Sequence, residues 1–163
     1  MKITIIGAGY VGLVQATCLA DFGFKITCIE KDLGKLRKLK MGIIPFFEPG
    51  LENRFKKNLK SNRLNLTNEY SDNISKSDVI FICVGTPPKK NGESNLNFVD
   101  QVAKEISKKI KGYTVIVSKS TVPVGTSRRI ENVLKKNNSV KSFDVISNPE
   151  FLREGSALED FTR

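Results

Sequence analysis

Apolar residues along this chain follow two rhythms. Short runs that are apolar almost throughout, such as "ITII" and "VIFIC", alternate with longer stretches in which apolar residues recur every three or four positions. The first rhythm predicts strands covered on both faces, the second amphipathic helices, and their alternation predicts βαβ units on a parallel sheet. Strands are expected over residues 2–6, 25–30, 64–67, 78–84, 113–118 and 143–147, and helices over 10–22, 33–40, 51–61, 97–111 and 125–136, with a short turn near 69–74. In the fourth helix Phe98, Val102, Ile106 and Ile110 are expected to form one buried stripe. Six strands with helical crossovers predict a Rossmann-type doubly wound α/β fold, with helices on both faces and ligands along one edge of the sheet.

The length, 163 residues, fits a single domain. No apolar run approaches the length of a membrane span, and a strand begins at Lys2 where a secretory leader would stand, so a cytoplasmic protein is expected. The chain has no histidine, which excludes an imidazole base or ligand within it. Acid–base work here would fall to carboxylates, lysines, hydroxyls or water. Cys18, Cys28 and Cys83 lie inside apolar stretches without metal-binding spacing, so buried reduced thiols and no metal site are expected. The net charge of +10 favours anionic partners, but the lysines are spread along helical segments without interleaved aromatics. That pattern describes a solvated basic face better than a nucleic-acid groove, and neither nucleic acid nor membrane is expected as a partner.

Candidate chemistry gathers at the ends of the predicted strands. "ITIIGAGYVGLVQA" places Gly7, Gly9 and Gly12 in G-x-G-x-x-G order between a strand and a helix. The spacing suits a tight turn, a backbone approach to a pyrophosphate, and a helix lying close to its strand. The helix N-terminus would add free N–H groups for the phosphates. The next strand ends in Glu30, placed to accept hydrogen bonds from a ribose diol and to repel a 2′-phosphate, which favours NAD over NADP. Lys35 could reach the same ribose or simply lie on the surface.

Later strand ends carry Val84, Gly85, Thr86, Pro87 and Pro88, then Ser120 and Thr121, then Glu150 and Glu154. Gly-Thr-Pro-Pro would leave room beside a flat ligand or merely break a strand. Thr121 could hold a water or a substrate hydroxyl, or cap a helix. With Pro149 near a first helical position, Glu150 would fall in the first turn, and the two glutamates would share one face if the segment is helical.

Five segments, "GAGYVGL", "PFFEPGL", "CVGTPP", "STVPVGT" and "NPEFLREGSALEDF", stand in this order between Gly7 and Phe161. In them the chain resembles the UDP-glucose/GDP-mannose dehydrogenase family, which oxidises a sugar alcohol to an acid. "STVPVGT" and "EGSALEDF" lean towards members acting on UDP-glucose; "CVGTPPKKNG" alone does not separate these from members acting on GDP-mannose. The resemblance implies NAD as cofactor, UDP-glucose as substrate, and a full-length protein that forms a homodimer or higher homo-oligomer. It implies a twofold oxidation to UDP-glucuronate: two NAD take up hydride, a cysteine captures the aldehyde, and water releases the thioester. The covalent step would hold the carbon in one pose for both hydride transfers.

Matched residue by residue, the resemblance assigns Gly7, Ala8, Gly9, Tyr10, Val11, Gly12, Glu30, Lys35, Val84, Gly85, Thr86, Pro87, Pro88, Ser120, Thr121 and Glu154 to the cofactor. Glu150, Phe151, Leu152, Arg153 and Glu154 match a segment that meets the nucleotide sugar. Thr121, Glu150 and Glu154 match groups for proton transfer and water positioning. Glu30 stands where the family more often has aspartate. The family's connecting helix, its sugar-orienting lysine and asparagine, and its cysteine-bearing later segment have no counterpart here, and Cys18, Cys28 and Cys83 match no nucleophile position. Residues 1–163 are therefore expected to be the N-terminal NAD-binding domain, able to bind NAD but not to complete the reaction alone. A stand-alone NAD-sensing module is the competing expectation, disfavoured by the sugar-side acids of "NPEFLREG".

Overall fold

A computed structural model describes residues 1–137 and 142–162. In chain order the elements are β1 (Lys2–Ile6), α1 (Tyr10–Asp21), β2 (Lys25–Ile29), α2 (Leu33–Lys40), α3 (Leu51–Lys60), β3 (Leu64–Thr67), α4 (Ser71–Ser75), β4 (Val79–Ile82), α5 (Asn97–Ser107), β5 (Thr114–Ser118), α6 (Thr126–Asn137), β6 (Phe143–Ser147) and α7 (Ala157–Thr162). The six strands form one sheet in the order β3-β2-β1-β4-β5-β6, each neighbouring pair parallel. Ile3 in β1 pairs with Ile26 on one side and Val79 on the other. The order reverses between β1 and β4, so the crevice for a ligand opens past the C-terminal ends of those two strands.

One face of the sheet carries Ile3, Ile5, Ile26 and Cys28 beneath Leu13, Ala16 and Ala20 of α1. The other carries Ile6, Ile80, Ile82 and Ile116 beneath Val99, Ile106, Ile130 and Leu134 of α5 and α6. Helix α1 is covered on its outer side too, where Val14 and Cys18 meet Leu51 of α3 and Ala157 and Leu158 of α7. Enclosure from both sides explains why α1 has no polar face.

The expected stripe on α5 is shifted. Phe98 is 51% exposed, while Val99, Val102, Ala103, Ile106 and Ile110 are buried. A repeat of four residues drifts by roughly 40° per step around a helix of 3.6 residues per turn, so Phe98, two steps before Ile106, leaves the face held by Val99, Val102, Ala103 and Ile106. The helix also stops at Ser107, whose hydroxyl bonds to the Lys104 carbonyl, and Ile110 reaches the core from the following turn. Strand β4 is shorter than expected because, past Ile82, the chain leaves the sheet beside Gly7.

The largest correction is at the end of the chain. Pro149 and Glu150 do not start a helix; residues 148–153 are irregular, 154–156 form a turn, and α7 begins only at Ala157. The Glu150 carboxylate instead accepts the Leu152 N–H at 2.7 Å, a local bond that competes with helix formation, and Gly155 takes φ +87°. Glu150 and Glu154 therefore do not share a helical face.

Candidate dinucleotide site

The glycine loop is built by close approach. A Cβ on Gly7 would lie 2.6 Å from the Cys83 carbonyl oxygen, and one on Gly12 only 1.9 Å from that of Gly7. Gly9 is different: a Cβ there would meet nothing within 4 Å. Gly7 and Gly12 serve the packing of β1, α1 and the β4 end; Gly9 keeps an open cradle at the start of α1. Gly9 is the N-cap of α1 and offers no side-chain cap. The N–H groups of Tyr10, Val11 and Gly12 thus face outward from the helix N-terminus, the arrangement that binds a pyrophosphate.

A cleft of about 280 Å³ opens from this cradle, lined by Gly7, Gly9, Glu30, Lys31, Lys35, Tyr70, Val84, Gly85, Phe98 and Gln101 among others. Six of the sequence-derived candidates, Gly7, Gly9, Glu30, Lys35, Val84 and Gly85, thus share one wall system. Glu30 is braced on both oxygens, by Lys35 Nζ at 2.9 Å and by the Asp32 N–H at 3.0 Å. Carboxylate oxygens have spare lone pairs, so Glu30 can still accept from a diol. Ala8 is fully buried and Val11 packs on the core, so only the backbone of these two is open to a ligand.

The neighbouring loops are locked to each other. Ser120 Oγ donates to the Val84 carbonyl at 2.6 Å, and Thr86 Oγ1 donates to the Thr121 carbonyl at 2.8 Å. Both hydroxyls position the ends of β4 and β5, while Thr121 keeps its side chain exposed at the rim. Pro87 and Pro88 are exposed, and Pro88 forms an antiparallel bridge with Ser94. Phe151 is 87% exposed, Leu152 packs against α1 and α7, and Arg153 makes a bidentate pair with Asp160. Glu154 is exposed.

Several residues were missed by sequence reasoning. Tyr70 and Phe98 add aromatic walls to the cleft, with Lys31 Nζ 5.0 Å above the Tyr70 ring. Burial pushes the Tyr70 hydroxyl up to about 12. Lys119, at the end of β5, donates to Asn148 at 3.2 Å; burial lowers its pKa, against the opposing influence of Cys83 and Glu150. Glu48, from "PFFEPGL", is a nearly buried acid that joins Tyr10 to the turn before α7. An acid between aromatics and Pro-Gly was the available signal, but its partners lie far along the chain. A wider groove of about 610 Å³ lies between α5 and α6 and shares no lining residue with the dinucleotide cleft.

The cysteines lie in the core, free and buried. Burial pushes Cys18 and Cys83 up to about 12 and Cys28 higher still. None is set up as a thiolate nucleophile.

A parallel sheet of this order, with an open glycine cradle at its switch point and an acid at the end of β2, defines a dinucleotide-binding domain. The model of the "UDP-glucose/GDP-mannose dehydrogenase family, NAD binding domain" matches residues 1–163, and the chain belongs to that family. It is 51% identical to a UDP-glucose 6-dehydrogenase of Rhizobium meliloti (strain 1021), covering 100% of this chain and 38% of the relative. It is likewise 51% identical to one from Bacillus subtilis (strain 168), covering 98% of this chain and 35% of the relative. Among solved structures, it superimposes on a UDP-glucose dehydrogenase from Pyrobaculum islandicum with TM-score 0.92 at 35% identity, covering 98% of this chain and 38% of the other. A GDP-mannose dehydrogenase from Pseudomonas aeruginosa gives TM-score 0.88 at 37% identity, covering 99% and 38%. The chain thus spans well under half the length of the relatives it matches.

Proposed function

We propose that residues 1–163 form the cofactor-binding unit of a UDP-glucose 6-dehydrogenase, which oxidises UDP-glucose to UDP-glucuronate with two NAD. The observation that carries this reading is the single crevice joining the Gly9 cradle to Glu30, Lys35, Val84 and Gly85. NAD, when bound, supplies the hydride acceptor. The chain's own part is to hold it: the α1 amides meet the pyrophosphate charge and Glu30 accepts from the adenosine ribose hydroxyls. Tyr70 and Phe98 flank the cleft as apolar walls for a base. On the substrate side, Thr121, Glu150 and Glu154 would hold water and move protons, and residues 151–153 would meet the nucleotide sugar. The nucleophilic cysteine would come from a segment outside residues 1–163, since the three thiols here are buried and protonated at neutral pH.

A second reading, GDP-mannose as the sugar, is favoured by the similarity to the Pseudomonas aeruginosa structure, nearly equal to that of the UDP-glucose enzyme. Identities of 51% to two UDP-glucose 6-dehydrogenases support the first. The full protein would work in the cytoplasm as a homodimer or higher homo-oligomer, without nucleic-acid or membrane partners. Among the described residues no helix is long and apolar enough to cross a membrane. The test is calorimetric titration of the 163-residue protein with NAD and NADP, together with a turnover assay on UDP-glucose and GDP-mannose. Binding of NAD without NADH formation is the expected result; failure to bind NAD, or turnover by this chain alone, contradicts it.

A further inference from the structure

The segment carrying Glu150 and Glu154 is held in place by a carboxylate 107 and 109 residues upstream of its anchoring amides. Glu48 Oε2 accepts from the Gly155 N–H at 2.8 Å, and Oε1 from the Ala157 N–H at 2.9 Å. The same Oε2 accepts the Tyr10 hydroxyl at 2.6 Å. That hydroxyl also lies 3.4 Å from the Arg153 carbonyl, and the Tyr10 ring packs on Phe46 with centroids 4.9 Å apart. Glu48 is only 5% exposed. Tyr10 is the first residue of α1 and follows the open Gly9 cradle directly. One rigid side chain therefore spans from the cofactor end of α1 to the segment bearing the substrate-side acids.

We propose that Glu48 is a positioning residue which, through Tyr10, transmits occupancy of the glycine cradle to residues 150–158, so that cofactor binding organises Glu150 and Glu154. This rests on the reading of the cradle as the NAD site. Short hydrogen bonds to a buried carboxylate are strong and directional, so a displacement of the Tyr10 hydroxyl is felt at the amides sharing its acceptor. A ligand that orders the start of α1 then biases the loop as well, and the two events are linked by a coupling free energy. A helix cap with no further role would hold residues 155–158 equally with and without cofactor.

Hydrogen exchange of the 163-residue protein, without and with saturating NAD, separates these cases. Protection is expected at residues 7–14 and, by about threefold or more, at residues 150–158. In Glu48→Gln the first response should persist and the second should fall below about half its size. Tyr10→Phe removes the link while keeping both Glu48 bonds to the α7 turn, and at saturating NAD it too should lose the second response. An unchanged second response in either variant, or none in the native chain while residues 7–14 are protected, overturns the proposal and leaves the cofactor reading intact. No protection at residues 7–14 overturns the cofactor reading and this proposal with it.

Discussion

Lys35 Nζ lies 2.9 Å from Glu30 Oε2 across the turn that joins β2 to α2. Asp32 holds that turn, accepting the Lys35 N–H at 2.9 Å while its own N–H donates to Glu30. The acid is thus fixed at the cleft wall rather than free to swing, and an ordered carboxylate discriminates better between a diol and a phosphate.

Replacing Glu30 by alanine is expected to weaken NAD binding by about tenfold or more, the effect of losing hydrogen bonds to a charged acceptor. NADP should be affected far less, because the same change removes repulsion of its 2′-phosphate. Calorimetry with both dinucleotides reads the ratio, and an unaltered preference would contradict the assignment of Glu30 to the ribose. Lys35→Ala should show a smaller loss, about two- to threefold, through a looser Glu30.

The glycines of the loop predict opposite phenotypes. A methyl on Gly12 would sit 1.9 Å from the Gly7 carbonyl oxygen, so Gly12→Ala forces α1 away from the loop and should destabilise the fold by about 2–3 kcal/mol. A methyl on Gly9 meets open space and its φ of −73° suits any residue, so Gly9→Ala should cost less than about 1 kcal/mol. That methyl would stand where a phosphate approaches the backbone, and NAD binding should fall at least tenfold. Thermal melts and NAD titrations of the two variants distinguish packing from binding.

The strands and the dinucleotide cleft were legible because their signals are local: β-branched runs, glycines at fixed spacing, an acid closing the second strand. Phe98 was misread because a four-residue repeat drifts by roughly 40° per step and leaves one face of a helix within two steps. The last helix was placed too early, at Pro149, because the amides before and at the start of α7, Gly155 and Ala157, are met by the distant carboxylate of Glu48. No pattern around Ser147 to Phe161 reveals an acceptor that distant. The same blindness applied to Tyr70, an aromatic just past β3 whose place in the cleft follows from sheet order.

Cys18, Cys28 and Cys83 should be inert in the native protein. Each is buried, and burial holds every thiol above its ordinary value of 9.0. A disulfide-exchange reagent at pH 8 should label them only as fast as the protein opens, and all three together in denaturant. Rapid labelling of one thiol in the folded state would place it at a reactive surface and contradict its burial in the core.

Glu48 sets an acid limit on the packing of α7. Burial by itself would raise its carboxyl, but hydrogen bonds from Tyr10 and from the N–H groups of Gly155, Ala157 and Leu158 outweigh it and hold the group below its ordinary 4.5. A depressed folded value means that the ionised acid stabilises the native state fully above about 4.5, and that this contribution is lost as pH falls through the lower folded value. Glu48→Gln keeps the shape but not the charge, and at pH 7 should be less stable by about 1–3 kcal/mol. The gap between native and variant proteins should stay constant from pH 7 down to about 5, then narrow in more acid solution. Denaturant melts across that range read the gap directly. A gap that stays constant to pH 3 would mean that the charge on Glu48 does not hold α7 against α1.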